Sequence, residues 1–380
     1  MGYEISRITD IVLEASKAPI FGSKWLSARY AIATVKSSLS RLVGYSKNII
    51  APYKNNEEFL GVDITPSCIY VCQVDNKGGG RALTGLASVC MEGKFVGEDI
   101  LSNPDLYSEN LKKLVRENKI QTRKVAVSLP VSSSIVKFAT ISKMDDGDIK
   151  RAIKYGSLWQ NLMSQNDSPD NYSIFYQVIR RNNNSETMDI LLVATRLADI
   201  KLYKDIITKS GLKPVVVDAK SMALHYALKS SPMQNLTQGT ILVEFGLNDN
   251  YIMVMGGQKP RIFEMIISEE ERAVILGNSA TENTEVLNHL IIRYQKKLEN
   301  IINSYRRINP GTTIKDIYVM SSLPLVESFI SKLQSSMTYC NVMECSMFDY
   351  LIIPDNFEIS RNSAKNNISS WAGAISMAIT

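Results

Sequence analysis

Few residues in this sequence are spaced for chemistry. Asp63 lies near the end of the apolar run FLGVDI and Glu244 near the end of GTILVEF, 181 residues later, each followed at once by a turn. Acidic side chains at strand ends commonly accept hydrogen bonds from turn amides, and capping is the reading preferred here over catalysis. His225 and His289 are the only histidines, and neither is near a cysteine in sequence, so zinc sites and Ser-His-Asp or Cys-His machinery are disfavoured. Gly78 to Gly80 follow Lys77 rather than precede it, which fits a hairpin turn and not a phosphate-binding P-loop. The five cysteines (Cys68, Cys72, Cys90, Cys340, Cys345) form no C-x-x-C pair. Their odd number, and the strand-like setting of three of them, predict reduced, mostly buried thiols, with Cys68 and Cys72 on one strand face.

The charge is unevenly placed. Residues 1–54 carry eight basic and three acidic side chains, a surplus equal to the +5 of all 380 residues, so the remainder is neutral. A neutral body disfavours nucleic-acid binding. No run approaches the about 18 apolar residues of a membrane-spanning helix, and the start lacks a signal-peptide layout, so a cytoplasmic body is expected. Within the basic extension, Trp25, Ala28, Ile32, Val35, Leu39 and Leu42 recur at helical spacing, bordered by Arg29 and Lys36. That layout suits either a membrane surface or a protein face, and Trp25, Arg29, Ile32, Lys36 and Leu39 are the candidate contacts. The Met-Gly-x-x-x-Ser start is too short a myristoylation pattern to carry weight.

These residues must be held by a framework, and the apolar pattern supplies one. Strands are predicted at 59–64, 68–74 and 82–91, a helix at 104–118 and a strand at 124–129. The same opening returns with strands at 239–245, 251–255 and 261–267, a helix at 284–308, a strand at 314–320 and a helix at 325–333. Two copies of one plan indicate a duplicated, two-lobed α/β fold. Between them, 131–214 reads as an α+β insertion with strands at 135–141, 174–179 and 189–195 and helices at 145–163 and 197–210. The second helix is stopped by Gly211.

At these residues the chain resembles the PilM-type actin-like proteins of type IV pilus assembly, relatives of FtsA. The resemblance is carried by GVDITPSCIY (61–70), KVAVSLP and IVKFATI (124–141), MDDGDIKRAIKYGSLW (144–159), ILLVATRLADIKLYKDIITKSGLKPVVVDAKSMAL (190–224) and LVEFG (242–246). It implies a duplicated actin-like (ribonuclease H-like) fold divided into an extension and linker (1–58), a first lobe or 1A (59–130, 215–238 and a C-terminal helix 369–380), a 1C-type insertion (131–214) and a second lobe (239–368). It also implies a cytoplasmic scaffold, peripheral to the inner membrane, that holds the tail of a PilN-like single-pass protein between 1A and 1C and stands near pilus motor ATPases.

In the actin fold, ATP and Mg²⁺ sit between the lobes on two hairpins and a glycine-rich turn. The resemblance places that site at Asp63, Thr65 and Ser67, at Glu244, Gly246 and Asn248, and at Ser321 and Ser322. The sequence departs from the pattern at each. Thr65 and Pro66 stand for Gly-Ser, and Pro66 lacks an amide donor. Tyr70 stands for the usual lysine, Glu244 for aspartate and Ser321-Ser322 for a Gly-Gly pair. A degenerate site follows: no catalytic residue or metal ligand is assigned, and ATP is expected to bind weakly or not at all. The competing readings are an active actin-like ATPase, or an FtsA-like polymerising protein tethered to the membrane by the extension.

Overall fold

The computed structural model describes residues 58–379 except 76–79, 92–99, 156, 163–167, 183–184, 230–238, 247–248, 256–259, 270, 273–279, 312, 324–325, 355–356 and 358–367. The basic extension, with Trp25, Arg29, Ile32, Lys36 and Leu39, lies outside the described residues, as does Asn248.

Two five-stranded sheets repeat one plan. In the first, β1 (Leu60–Ile64) pairs antiparallel with β2 (Cys68–Asp75), which pairs with β3 (Ala82–Cys90). On its other side β1 runs parallel to β4 (Lys124–Leu129), and β4 to β8 (Lys213–Ala219). The second sheet has β9 (Thr240–Phe245) at its centre, β10 (Asn250–Met255) and β11 (Arg261–Glu264) antiparallel on one side, and β12 (Asp316–Met320) and β13 (Asn341–Glu344) parallel on the other. Every residue of β1 and β9 is buried. Strands covered on both faces read as continuous apolar runs rather than as an alternation, which is why these two announce themselves in the sequence.

Helices cover the outer faces. Over the first sheet lie α1 (Pro104–Glu117), entered through Pro104, and α4 (Leu197–Lys209), followed by Gly211 at φ +80°. Tyr107, Leu111, Ile206 and Ile207 close that core. Over the second lie α6 (Ala280–Ile308) and α7 (Val326–Ser336), where Phe245 stacks on Phe329 with ring centroids 4.3 Å apart. Between the sheets sit α5 (Lys220–Lys229) and α8 (Ala372–Ala378), in a shared core that joins Tyr70 and Cys72 to Leu242, Tyr251 and Met253 through Trp371 and Ile375. The approach of α8 to β1 demands a glycine, because a Cβ on Gly61 would lie 2.0 Å from the Ala374 carbonyl oxygen.

The insertion is an antiparallel sheet in the order β5 (Ser134–Ser142), β7 (Thr187–Arg196), β6 (Tyr172–Arg181). The single helix expected at 145–163 is two, α2 (Asp146–Lys154) and α3 (Ser157–Leu162). Asp145 caps α2 by accepting from the Asp148 amide at 2.7 Å, and Tyr155 leaves the helical region at its end, with Gly156, a poor helix former, next in the chain. Ile149, Ile153 and Trp159 still share one core with Tyr172, Met188 and Ile190. Strand β13 was not foreseen.

The cysteines need a second correction. Cys68 and Cys90 are register partners on β2 and β3 and are joined as a disulfide, so the expectation of five reduced thiols fails. Cys72 lies on the same face as Cys68, and it, Cys340 and Cys345 are free and buried. Among the described residues no helix is long and apolar enough to cross a membrane.

Candidate functional site

Asp63 and Glu244 come from different sheets and reach the same cleft. Both are almost wholly buried, at 3% and 6% exposure. What brings them together is a residue the sequence reading passed over. The chain leaves β8 at Ala219 and starts α5 at Lys220, whose side chain enters the gap between the sheets with only 6% exposure. Its Nζ stands 3.1 Å from Asp63 Oδ2 and donates to Glu244 Oε1. Burial opposes the ammonium's charge, but the attraction of Asp63, then of Glu244 and Asp249, outweighs it and holds the pKa of Lys220 above the ordinary lysine value.

The surroundings fix this arrangement. Ser128 on β4 donates to Asp63 Oδ1 at 2.6 Å. Gly373 backs the same carboxylate so closely that a Cβ there would lie 2.2 Å from Oδ2. Burial pushes the Glu244 carboxyl up, against the pull of Lys220. Burial, and then the Glu244 charge, push Asp249 up to about 8. Its Oδ1 accepts the Val131 amide at 3.1 Å, a second polar link between the two halves of the cleft.

The capping role expected of the two carboxylates belongs to other side chains. In the first turn Thr65 Oγ1 donates to the Cys68 carbonyl at 2.9 Å and accepts its amide at 3.0 Å. In the second, Asn250 Oδ1 accepts the Gly246 amide at 3.0 Å and the Tyr294 hydroxyl at 3.0 Å. A side chain at Gly246 would meet the Asp249 carbonyl at 2.9 Å. The carboxylates are left free for Lys220 because Thr65 and Asn250 already close the turns.

The remaining candidates are placed as follows. Ser67 is half-buried, and its carbonyl accepts the Met91 amide at 2.7 Å. Ser321 is buried; its hydroxyl donates to the Phe245 carbonyl and accepts the Leu323 amide at 3.0 Å, while Ser369 and Ser370 bond its backbone. Ser322 is half-buried beside it. Tyr70, in the place where the resemblance puts a lysine, is fully buried against Trp371 with ring centroids 5.2 Å apart, its phenol pushed up to about 12 by burial. Asp63 and Glu244 are thus joined through Lys220, Ser321 touches the strand end beside Glu244, Thr65 stays within the first hairpin, and Ser67 ties that hairpin to the end of β3. The sole signal for Lys220 was its place at the start of a helix, right after the apolar strand β8.

Comparison with known proteins supplies the setting. The family model described as "Type IV pilus assembly protein PilM" matches residues 61–264. None of the curated proteins matches the chain. Among solved structures, a chain of the "PilM-PilN type IV pilus biogenesis complex" is similar at a TM-score of 0.69 and 17% identity, covering 85% of this chain and 98% of that one. The cytoplasmic domain of EpsL, an inner membrane component of the type II secretion system of Vibrio cholerae, gives a TM-score of 0.37 at 13% identity, covering 70% and 84%. A Bacteroides thetaiotaomicron protein with an actin-like ATPase fold and unknown function gives 0.39 at 10%, covering 84% and 96%. The expected duplicated, two-lobed α/β plan is the one found, in two sheets of matching strand order, and the fold is that of the PilM chain.

Proposed function

Because the chain belongs to the PilM family of type IV pilus assembly proteins, we propose that it acts as a non-catalytic cytoplasmic scaffold of an inner-membrane assembly platform, holding the cytoplasmic tail of a PilN-like single-pass protein. The observation that carries this reading is the seam between the insertion and the first lobe. Leu191 of β7 meets Ala219 and Met222 of the β8–α5 junction there as the only fully buried members of a small cluster, while Val136, Phe138, Ile179, Val193 and Tyr226 around them stay half-buried. A seam with so much accessible apolar surface can take an extended peptide: backbone pairing along an outer strand sets its register, and aliphatic or aromatic anchors provide affinity. In this reading the nucleotide site is idle, the basic extension adds a membrane or membrane-protein contact, and motor ATPases are neighbours in the machine.

Hydrogen exchange on the full chain, with and without a synthetic tail peptide of the PilN-like protein, tests the proposal. Protection is expected in 134–142, 172–181 and 216–226. Protection confined to 239–352, or none, removes the tail site. For the extension, deletion of residues 1–54 is expected to leave a folded body and to abolish salt-sensitive binding to anionic liposomes; binding that survives the deletion rules out the extension as the membrane contact.

A further inference from the structure

The family resemblance assigns Asp63 and Glu244 to a Mg²⁺-nucleotide, and four observations show that the residues present do not fit one. The space between the two carboxylates is taken by the Lys220 ammonium, which contacts both. Among the described residues no three His, Cys, Asp or Glu side chains are grouped to hold a metal ion. The polar groups that would face phosphate are engaged elsewhere: the Thr65 hydroxyl with Cys68, the Gly246 amide with Asn250, the Ser321 hydroxyl with Phe245. Pro66 has no amide to offer.

We infer that Lys220 is the resident cation of this cleft, a built-in counter-ion that stands in place of a divalent metal and pins β1 of one lobe to β9 of the other without nucleotide. An ammonium has the attributes the role needs: one compact charge, three donors and a stem long enough to cross from α5. It carries one positive charge where magnesium carries two, and its ammonium contacts both carboxylates at once. The pin is permanent in a way that a nucleotide is not, since a covalently attached cation cannot be hydrolysed or exchanged. The lobes then keep one relation whatever the ATP level, and tail binding is constitutive. This inference deepens the scaffold reading, and it rests on that reading only for the claim that the cleft is idle.

The test is a titration of the full chain with Mn²⁺, followed by electron paramagnetic resonance, and with Mg-ATP, followed by calorimetry. Wild type is expected to show no saturable binding of either below millimolar concentration. Lys220→Ala, which leaves two carboxylates without a cation, is expected to bind Mn²⁺ at least tenfold more tightly than wild type and to gain melting temperature from it, and Asp63→Asn in that background should abolish both gains. A Lys220→Ala chain that folds only when Mn²⁺ is added is the same positive result. Lys220→Gln, which retains bulk and two donors, is expected to show a smaller gain in the same direction. Micromolar Mg-ATP or Mn²⁺ binding by wild type overturns the inference. So do Lys220→Ala and Lys220→Gln chains whose melting metal leaves unchanged. Loss of tail binding with the metal results as expected sinks the scaffold reading and leaves the pin standing; tail binding by a chain that also binds Mg-ATP does the reverse.

Discussion

Replacing Gly61 by alanine places one methyl group at the tightest contact in the first lobe. The added Cβ would lie 2.0 Å from the Ala374 carbonyl oxygen, 2.5 Å from the Ala378 amide nitrogen and 2.9 Å from the Ala378 Cβ. Carbon contacts relax only at about 3.5 Å, and two of these three atoms are backbone of α8, so no rotamer change can clear the clash. The helix must move out by more than roughly 1 Å, and it carries Ile375 and Met377, both fully buried, with Trp371 at its start. Overpacking in a rigid core costs about 1–3 kcal/mol. Partial exposure of one large apolar side chain adds about 1.5 kcal/mol or more, against a gain of roughly 0.4–1 kcal/mol from stiffening the unfolded chain. The net expectation is a loss of about 3 kcal/mol, read from urea unfolding at constant m-value. Two matched substitutions calibrate it. Gly85→Ala meets the Gln73 Cβ at 3.2 Å and otherwise makes only ordinary contacts with Gln73 Oε1 and Ile120 Cγ1, and should cost less than about 1 kcal/mol. Gly211→Ala meets nothing within 4 Å but sits at φ +80°, and should cost about 1–2 kcal/mol. If Gly61→Ala proves no worse than Gly211→Ala, α8 does not seat on β1 as described.

Three further outcomes are expected. Lys220→Met should destabilise the chain by about 3–5 kcal/mol in metal-free urea titrations, as removal of one partner from a buried ion pair does, and adding Asp63→Asn with Glu244→Gln should recover most of the loss; additive losses would refute the coupling. The raised pKa of Asp249, about 8, means that the folded chain holds a proton the unfolded chain releases near pH 4, so stability should fall as pH climbs between those values, by at most about 1.4 kcal/mol per pH unit. Asp249→Asn, which keeps an acceptor for Val131, should flatten the slope, and an unchanged slope would locate the proton elsewhere. Non-reducing peptide mapping should recover Cys68 linked to Cys90, 22 residues apart, and Cys68→Ser with Cys90→Ser should lower stability by about 3 kcal/mol; a map with both thiols alkylatable removes the bond.

The strands were legible because burial on both faces makes β1 and β9 near-continuous apolar runs, broken only by Asp63, Thr240 and Glu244, and the duplication was legible because both copies obey the same constraint. The split between α2 and α3 was partly hidden, since Ile149, Ile153 and Trp159 face one core as a single helix would make them. Lys220 was opaque for a different reason. A lysine at a helix start is ordinarily solvated, and what reverses that here is a pair of carboxylates delivered by strands 157 residues before it and 24 after it. Likewise the Cys68–Cys90 pairing depends on a register that shifts at Gln73/Val74, which no local spacing reports. Asp63 and Glu244 are bridged by Lys220, and the turn capping expected of them falls instead to Thr65 and Asn250, which close their turns locally.

The seating of α8 on β1 also sets an order of assembly. The two elements that meet at Gly61 and Ala374 are separated by more than 300 residues, which at about 5–20 residues per second is roughly 15–60 s of translation. During that time the nascent first sheet has only α5 over its inner face, and the second sheet is made in full before α8 can close the first. Chains released early from the ribosome would therefore expose the same apolar surface that Trp371 and Ile375 later conceal. Such products would present the kind of apolar surface that holding chaperones and proteases recognise.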